Sequence, residues 1–177
     1  MTEYQYRGKD TLTFQRLPGY KKIVAWQAAS DLADQIDTLV KRFGPGYYRL
    51  TDQMRPAAIA IAGNIAEGYC SGSLGNYIRY SNVARGSAGE LGSYIQDCER
   101  WELIKGDELQ TLVKQYSLTT YFLDRLLQAL KEKEGTWDRS YGVKESAAEY
   151  RTDSVNTLDN SGYGDYTDEQ ITGVVDN

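Results

Sequence analysis

Apolar residues recur at intervals of three and four along the first part of the chain, a spacing that predicts amphipathic helices. One such segment covers about residues 21–43 and stops at the glycine-proline-glycine turn at 44–46. A second begins near Thr51, whose hydroxyl is placed to cap the first turn, and ends at Gly68. Pro56 lies just inside that start, so either the first turn is kinked or the regular helix begins there.

Two further segments with the same apolar spacing follow. The third helix is predicted over about residues 76–104 and the fourth over 107–134, where Asp107 and Gln110 have capping-box spacing. The links between the four helices are short, and short links favour antiparallel neighbours. The sequence therefore predicts an all-α protein, an up-down-up-down antiparallel four-helix bundle with flexible N- and C-terminal extensions.

The segment 56–66, PAAIAIAGNIA, is apolar on every side of a helix, and Asn64 is its one polar side chain. A helix without a solvated face has to be covered all round. The segment is far shorter than the roughly 20 residues needed to cross a bilayer, so the cover must be protein. We expect that cover to come from this subunit and from another copy of it.

The third predicted helix carries small or polar residues away from its apolar stripe, namely Asn82, Gly86, Gly89 and Ser93. A glycine inside a helix costs about 1 kcal/mol relative to alanine. Close approach of another backbone would offset that cost, which is a second indication of packing beyond a single bundle. The alternative is a weak helix that the fold tolerates.

The amino-acid composition narrows the chemistry open to this protein. The chain has no histidine, which removes histidine-based triads, histidine-bearing zinc sites and the most common general base near neutral pH. Cys70 and Cys98 lie at no metal-ligand spacing and are predicted to be free structural thiols. A metal site built from Glu67, Glu90 and Asp97 has no ligand spacing beyond chance. We therefore expect no enzymatic activity, no metal and no cofactor.

The net charge of −5 is unevenly spread along the chain. Residues 1–134 carry 17 Lys and Arg against 16 Asp and Glu, whereas residues 135–177 carry 3 against 9. The segment 135–177 lacks a sustained apolar period and is predicted to be a mostly disordered, acidic tail. It is either a solubilising extension or an element that docks a partner or competes for a basic patch. Residues 1–19 are predicted to form an irregular arm, which leaves 20–134 as the bundle.

The sequence shows no export or membrane signal. Its first residues lack the apolar run of a signal peptide, and no later segment is long and apolar enough to cross a bilayer. We therefore expect a cytoplasmic protein without a membrane partner.

Four short motifs occur in a defined order and spacing. They are WQAA at 26–29, LTDQMR at 50–55, NIAEG at 64–68 and ARGSAGEL at 84–91. In combination they resemble the four-helix-bundle family named for the 23S rRNA-intervening sequence protein, over about residues 20–130. The chain departs from the common pattern of that family at Pro56, where an arginine is usual, and at Gly63, where a proline is usual. Its loop after Gly68 is also less basic.

The resemblance implies a bundle that assembles as a ring-like homopentamer. It also implies kinship with accessory proteins of diversity-generating retroelements, which bind a reverse transcriptase and nucleic acid. No enzymatic activity is established for the family. Its name records the position of early genes inside ribosomal RNA genes and does not demonstrate RNA binding, so function carried over in this way is an analogy.

Two polar pairs are candidates for a recognition site or a subunit seam. Asn64 and Glu67 lie three residues apart on the second helix, and Ser87 and Glu90 lie three apart on the third, so each pair shares a helix face. With the glycines of the third helix they define a candidate oligomer interface, whose residues are Asn64, Glu67, Gly86, Ser87, Gly89 and Glu90. The structural alternative is that the two glutamates accept hydrogen bonds from arginines, Arg55 or Arg85, or from helix termini.

Basic residues are the candidates for nucleic-acid binding. They are Lys21, Lys22, Lys41, Arg42, Arg49, Arg55, Arg79 and Arg85. A local belt of these cations could hold phosphates, with tyrosines at 20, 47 and 48 as stacking surfaces for unpaired bases. The alternative is a set of solvated helix faces, because acidic residues are interleaved on the first helix.

These observations predict a non-enzymatic oligomeric helical adaptor. On the first hypothesis it is an accessory protein of a diversity-generating retroelement, whose ring holds a reverse transcriptase, RNA or DNA through several weak contacts at once. On the alternative hypothesis it is a protein-protein interaction scaffold that binds no nucleic acid. A carboxylate pair at Glu67 and Glu90 does not by itself define an enzyme.

Overall fold

The computed structural model describes the backbone of residues 19–141 and the side chains of residues 19–135. Four α-helices follow one another along this part of the chain: α1 at Val24–Val40, α2 at Tyr48–Cys70, α3 at Leu74–Arg100 and α4 at Gly106–Tyr141. Single turns of 3-10 helix at Tyr20–Lys22 and Pro45–Tyr47 lead into α1 and α2. The described residues contain no strand.

The helices form a closed bundle. Each packs against the next along the chain, and α4 packs back against α1. The connections at 41–47, 71–73 and 101–105 are too short to return along a helix, so consecutive helices run antiparallel. The predicted all-α, up-down-up-down arrangement is confirmed.

The core lies where the predicted apolar stripes meet. Ile36 of α1, Ile61 of α2, Leu91 of α3 and Leu130 of α4 have no exposed surface. Burying a side chain of this size contributes about 1.5–3 kcal/mol, so the four stripes supply the main driving force for folding. The period of the sequence therefore identified the inward faces correctly.

Hydrogen bonds join α4 to both of its neighbours. The buried Thr119 hydroxyl and the Gln115 side-chain amide both donate to the carbonyl of Ala28 in α1, at 3.1 and 3.0 Å. On the other side, the Tyr116 hydroxyl donates to the carbonyl of Ala88 in α3 at 3.1 Å. Because buried polar groups need partners, these contacts fix the axial position of α4 in the bundle.

The ends of α1 lie inside the predicted limits of 21–43. Ile23 has an extended backbone (ψ 118°), which separates the 3-10 turn from the helix and moves its start to Val24. At the other end the amides of Arg42 and Phe43 bond to carbonyls three residues earlier, at 3.1 and 3.2 Å. This tighter turn ends the helix before Gly44.

The start of α2 is earlier than predicted. The 3-10 turn at Pro45–Tyr47 leads straight into the helix at Tyr48, and the helix continues through Pro56 to Cys70. Thr51 is therefore inside the helix, where its hydroxyl donates to the carbonyl of Tyr48 at 2.8 Å. The expectation that Thr51 caps the helix is wrong, and so is the alternative of a start at Pro56.

The links on either side of α3 also differ from the prediction. Ser73 caps the helix by accepting a hydrogen bond from the Asn76 amide, so α3 starts two residues earlier than expected and ends at Arg100. Glu102 then adopts a left-handed backbone (φ 57°) that reverses the chain. Because α4 starts at Gly106, Asp107 lies in its first turn and is not the residue before it.

The predicted arm at 1–19 and tail at 135–177 lie almost wholly outside the described residues. One part can be compared, because α4 continues to Tyr141 and does not end at Glu134. Once a helix has nucleated, each added residue gains a hydrogen bond, so it can extend through residues of modest propensity. Residues 135–141 therefore belong to α4, which corrects the predicted boundary.

Candidate functional site

One side of α2 and α3 is left uncovered by the rest of the bundle. Ile59 of α2 is 57% exposed and Val83 of α3 is 47% exposed. A Cβ built on Gly63, Gly86 or Gly89 would meet no described atom within 4 Å beyond the nearby backbone of its own helix. We call these five residues the open face. The opposite side of α2 is buried against the core, so this apolar helix is covered on one side only.

Two contacts between α2 and α3 set their antiparallel register. A Cβ on Gly68 would lie 3.0 Å from the Cβ of Tyr80, and the Cys98 sulfur lies 3.7 Å from that of Met54. Because Gly68 lies opposite Tyr80 and Met54 lies opposite Cys98, Gly63 is at about the same height along the bundle as Gly86 and Gly89. The open face is therefore a patch at mid-height on two neighbouring helices.

The predicted polar seam does not form as a single cluster in this chain. The Asn64 side-chain amide donates to the carbonyl of Ala60 in its own helix at 2.7 Å. The hydrogen bond that Tyr94 makes to Glu90 is 2.9 Å long and stays within α3. Ser87 is half-buried on α3. Only Glu67 reaches across helices within the described chain, and it does so to Tyr80.

Tyrosines, and not arginines, are the partners of the two seam glutamates. A hydrogen bond to Glu67 raises the pKa of Tyr80, and one to Glu90 raises the pKa of Tyr94. The expected arginine partners are used elsewhere, because Arg55 contacts Asp37. Within the described residues the partners of these carboxylates are therefore tyrosines, and arginine partners across a subunit seam stay a prediction.

Seven of the eight basic candidates are distributed over the two ends of the bundle. Lys21 and Lys22 precede α1, at the end where α3 begins and Arg79 lies. Lys41, Arg42, Arg49 and Arg55 lie at the other end, beyond or near the end of α1. The 17 residues of α1 separate the two groups by about 25 Å. Arg85 lies between them on α3, where its charge acts on Asp124 of α4.

Several of these cations are already engaged by acidic side chains. Asp37 contacts both Lys41, at 2.5 Å, and Arg55, at 2.9 Å. Contact with Lys41 and Arg55 lowers the pKa of Asp37, with the Lys41 hydrogen bond as the largest cause. Arg42 forms an ion pair with Glu108 of α4. These acidic partners reduce the positive electrostatic potential that the three cations present to solvent.

Exposed aromatic rings gather at the end of the bundle where α1 and α3 finish and α2 and α4 start, which we call the aromatic end. Tyr47 is 37% exposed, Tyr48 is 58% exposed and Trp101 is 46% exposed. The Tyr47 and Trp101 ring centroids are 6.4 Å apart with their planes tilted by 30°. We call these three residues the aromatic platform.

The sequence predicted two members of the platform and missed Trp101. Trp101 follows Cys98 by three residues, so the apolar period places it in the core of a helix that was expected to run to 104. Because α3 ends at Arg100, the Trp101 ring is turned outward. Tyr20, the third predicted stacking residue, is half-buried and packs edge-on against Trp26 at 5.2 Å.

Two other kinds of site are not found in the part of the chain that the structure describes. No group of three or more acidic or cysteine side chains is arranged to hold a metal ion. None of the helices is both long enough and apolar enough to cross a bilayer.

Comparison with known proteins identifies the family. The chain has no match among curated proteins. The sequence model of the 23S rRNA-intervening sequence protein family matches residues 21–124, which include α1 to α3 and the first half of α4. That match covers more than half of the chain and coincides with the bundle that carries the open face. The chain therefore belongs to the 23S rRNA-intervening sequence protein family.

Proposed function

We propose that this protein is a non-enzymatic adaptor that self-associates through the open face. The observation that carries the proposal is the coincidence of exposed apolar side chains with uncovered glycines at mid-height on α2 and α3. Ile59 and Val83 expose apolar side-chain surface whose burial would be favourable. An assembly of identical chains is the simplest way to cover it.

The glycines of the open face support the same conclusion. Each mid-helix glycine costs about 1 kcal/mol relative to alanine, and no described residue packs into the space at Gly63, Gly86 or Gly89. A helix from another subunit can approach a glycine surface more closely than any other. The cost is then offset in the assembly. A ring-like homopentamer is the assembly that the family resemblance favours.

The proposed role of the assembly is accessory. In this proposal the ring binds a reverse transcriptase of a diversity-generating retroelement, its RNA or DNA, or both. A ring repeats every surface contact, so weak contacts from the cations at both bundle ends would add through effective concentration. Support for this role is the resemblance, together with the exposed cations Lys22, Arg79 and Arg85.

A protein-protein scaffold that binds no nucleic acid is the second candidate. The observation that favours it is the pairing of Lys41 and Arg55 with Asp37 and of Arg42 with Glu108. Cations that are already paired bind phosphates less strongly, because the acidic partner must be displaced or its repulsion accepted. The adaptor would then recognise its partner through apolar and aromatic surface.

Light scattering tests the assembly. We expect a solution mass several times the 20.0 kDa of the chain, with a pentamer as the expected state. Gly89→Leu should lower that mass because it fills the space that a neighbour needs. Val113→Ala, on an exposed position of α4, is the matched control and should leave the mass unchanged. A wild-type protein that remains monomeric at micromolar concentration would refute the proposal.

Binding experiments separate the two roles. At low salt, the accessory protein should shift structured RNA or single-stranded DNA, or co-purify with a reverse transcriptase encoded beside it. A protein partner that survives high salt and nuclease treatment would support the scaffold, since phosphate contacts weaken steeply with salt. An oligomer that binds neither nucleic acid nor reverse transcriptase would refute the accessory role.

A further inference from the structure

We infer that the aromatic platform is a stacking site for unpaired bases of single-stranded nucleic acid. The inference rests on the accessory role proposed above and names the site and the class of ligand. Two connections that are distant in the sequence bring Tyr47, Tyr48 and Trp101 to one end of the bundle. Exposing large aromatic rings to water is unfavourable, and a ligand that covers them gains the free energy of burying their apolar surface.

The geometry of the platform suits stacking. Tyr47 and Trp101 are tilted by only 30° at a centroid separation of 6.4 Å, so the two rings offer faces of similar direction. Phe43 supports Tyr47 from the side at 6.3 Å with an interplanar angle of 62°. A ring that is held at its edge loses little freedom when a base stacks on its face. Each base that stacks on an aromatic ring contributes to affinity without regard to its sequence.

Guanidinium groups flank the rings. The Arg100 guanidinium carbon lies 5.9 Å from the centre of the Trp101 ring and its group pairs with Asp97. Arg49 donates to the Tyr48 hydroxyl at 3.3 Å, and no acidic side chain among the described residues pairs with it. Arg49 is therefore the cation best placed to hold a phosphate beside a stacked base.

The residues around the platform favour a nucleobase, and not an aliphatic protein surface, as its ligand. Among the aliphatic residues of the two segments beside the platform, Leu50 and Ile104 are buried and Leu103 is half-buried, so the exposed surface there is mainly aromatic rings and guanidinium groups. Acidic residues also lie in these segments, among them Asp52, Glu99 and Glu102. Because they offset the cations, stacking must supply most of the affinity, and the salt dependence of binding at this site should be shallow.

In the proposed assembly the contact between subunits lies at mid-height and the platform lies at the end of the bundle. Tyr48 and Ile59 lie on the same side of α2, eleven residues apart, which is about 16 Å along the helix axis. The contact in the proposed assembly must therefore end short of Tyr48. A ring would present one platform from every subunit, and a single strand could contact several of them in turn.

Fluorescence anisotropy with a labelled oligothymidylate of about 16 nucleotides tests the inference. Trp101→Leu and Tyr48→Leu keep an apolar side chain and remove the aromatic face, so each should weaken binding by about 5- to 100-fold. Trp101→Phe keeps a ring and should stay within about threefold of the wild type. An oligomer of the same length and charge with abasic sugars should bind the wild type as weakly as the normal oligomer binds Trp101→Leu.

The outcomes distinguish this inference from the proposed function. If the wild type binds the normal oligomer and Trp101→Leu binds it equally well, the stacking site is refuted and the accessory role stands. Equal affinity for the abasic oligomer would refute it in the same way. A Trp101→Leu variant that loses a protein partner and keeps the oligomer would show that the platform is a protein-binding surface. Failure of the wild type to bind any nucleic acid refutes the inference together with the nucleic-acid role. Val113→Ala is the matched control throughout.

Discussion

Tyr116 occupies the space that a side chain at Gly92 would need. A Cβ built on Gly92 of α3 would lie 2.3 Å from the hydroxyl oxygen of Tyr116 and 2.8 Å from the ring carbon that bears it. The Tyr116 hydroxyl is held in place by its hydrogen bond to Ala88. This glycine therefore lets the Tyr116 side chain of α4 pack directly against the α3 backbone, in contrast to the glycines of the open face.

Replacing Gly92 with alanine should destabilise the protein. The added methyl group displaces the Tyr116 ring and weakens its hydrogen bond, so we expect the free energy of unfolding to fall by about 1–2 kcal/mol. Urea denaturation at one protein concentration measures the change. Gly75→Ala is the matched control on the same helix, because Gly75 is exposed, lies outside the open face, and a Cβ there would come no closer than 4.0 Å, to the Ser73 hydroxyl oxygen. A fall that is equal for both variants would contradict the assignment.

The αL residue after α3 offers a stabilising substitution. Glu102 has φ 57°, its amide bonds to the carbonyl of Glu99 at 2.9 Å, and the Leu103 amide bonds to that of Cys98 at 2.8 Å. This is the Schellman pattern, in which glycine is the preferred residue. Glu102→Gly should therefore raise the free energy of unfolding by about 1 kcal/mol, as measured by urea denaturation.

Gly106 provides the converse test of the same connection. Its φ of 61° is natural for glycine, so Gly106→Ala should lower the free energy of unfolding by about 1 kcal/mol or more. A stabilising Gly106→Ala, or a destabilising Glu102→Gly, would show that this connection does not adopt the described backbone.

Asp31 and Asp37 should give opposite pH dependences. Burial, with a smaller contribution from Asp34, raises the pKa of Asp31, so ionised Asp31 destabilises the fold at neutral pH. Asp31→Asn should then be more stable than the wild type at pH 7. The difference should shrink as the pH falls through the raised pKa of Asp31 and disappear below the ordinary carboxyl value of 3.8, where Asp31 is protonated in both states.

For Asp37 the sign is reversed. Its pKa is lowered by Lys41 and Arg55, so its contribution to stability is present above the unfolded value of 3.8 and is lost as the pH falls through the folded value. Asp37→Asn should be less stable than the wild type at pH 7, and this difference should disappear in acid. Thermal unfolding from pH 3 to pH 7 compares the two variants, and equal signs would refute the assigned environments.

The two cysteines should differ in reactivity. Burial raises the pKa of the Cys98 thiol to about 11, whereas Cys70 is exposed at the end of α2. A thiol reagent at pH 7.5 should therefore modify Cys70 in the native protein and reach Cys98 only after unfolding. Mass spectrometry of the labelled protein identifies the site. Cys70→Ser should show no fast labelling, and rapid modification of native Cys98 would contradict its burial.

Some parts of the candidate site followed from the sequence and others did not. The apolar character of 56–66 indicated a helix in need of cover, and Ile59 and Gly63 lie uncovered by the described part of the chain. The basic residues could not be placed, because the sequence does not show that α1 holds Lys22 and Lys41 about 25 Å apart. Trp101 could not be recognised as an exposed ring from the sequence, because the third helix was expected to run to 104 and only the backbone turn at Glu102 reveals that α3 has already ended.

The sequence alone determined the number of helices, their order, their inward faces and the family, because burial follows the helical period and motifs keep their spacing whatever surrounds them. The tertiary structure decided where the helices end, which side chains pair, and at which glycines a neighbouring residue occupies the space of a side chain. Those outcomes depend on contacts between residues that are distant in the sequence, such as Tyr116 with Gly92 or Arg42 with Glu108. Local propensity is weak against such contacts, so a pattern along the chain predicts the faces of a bundle better than its ends.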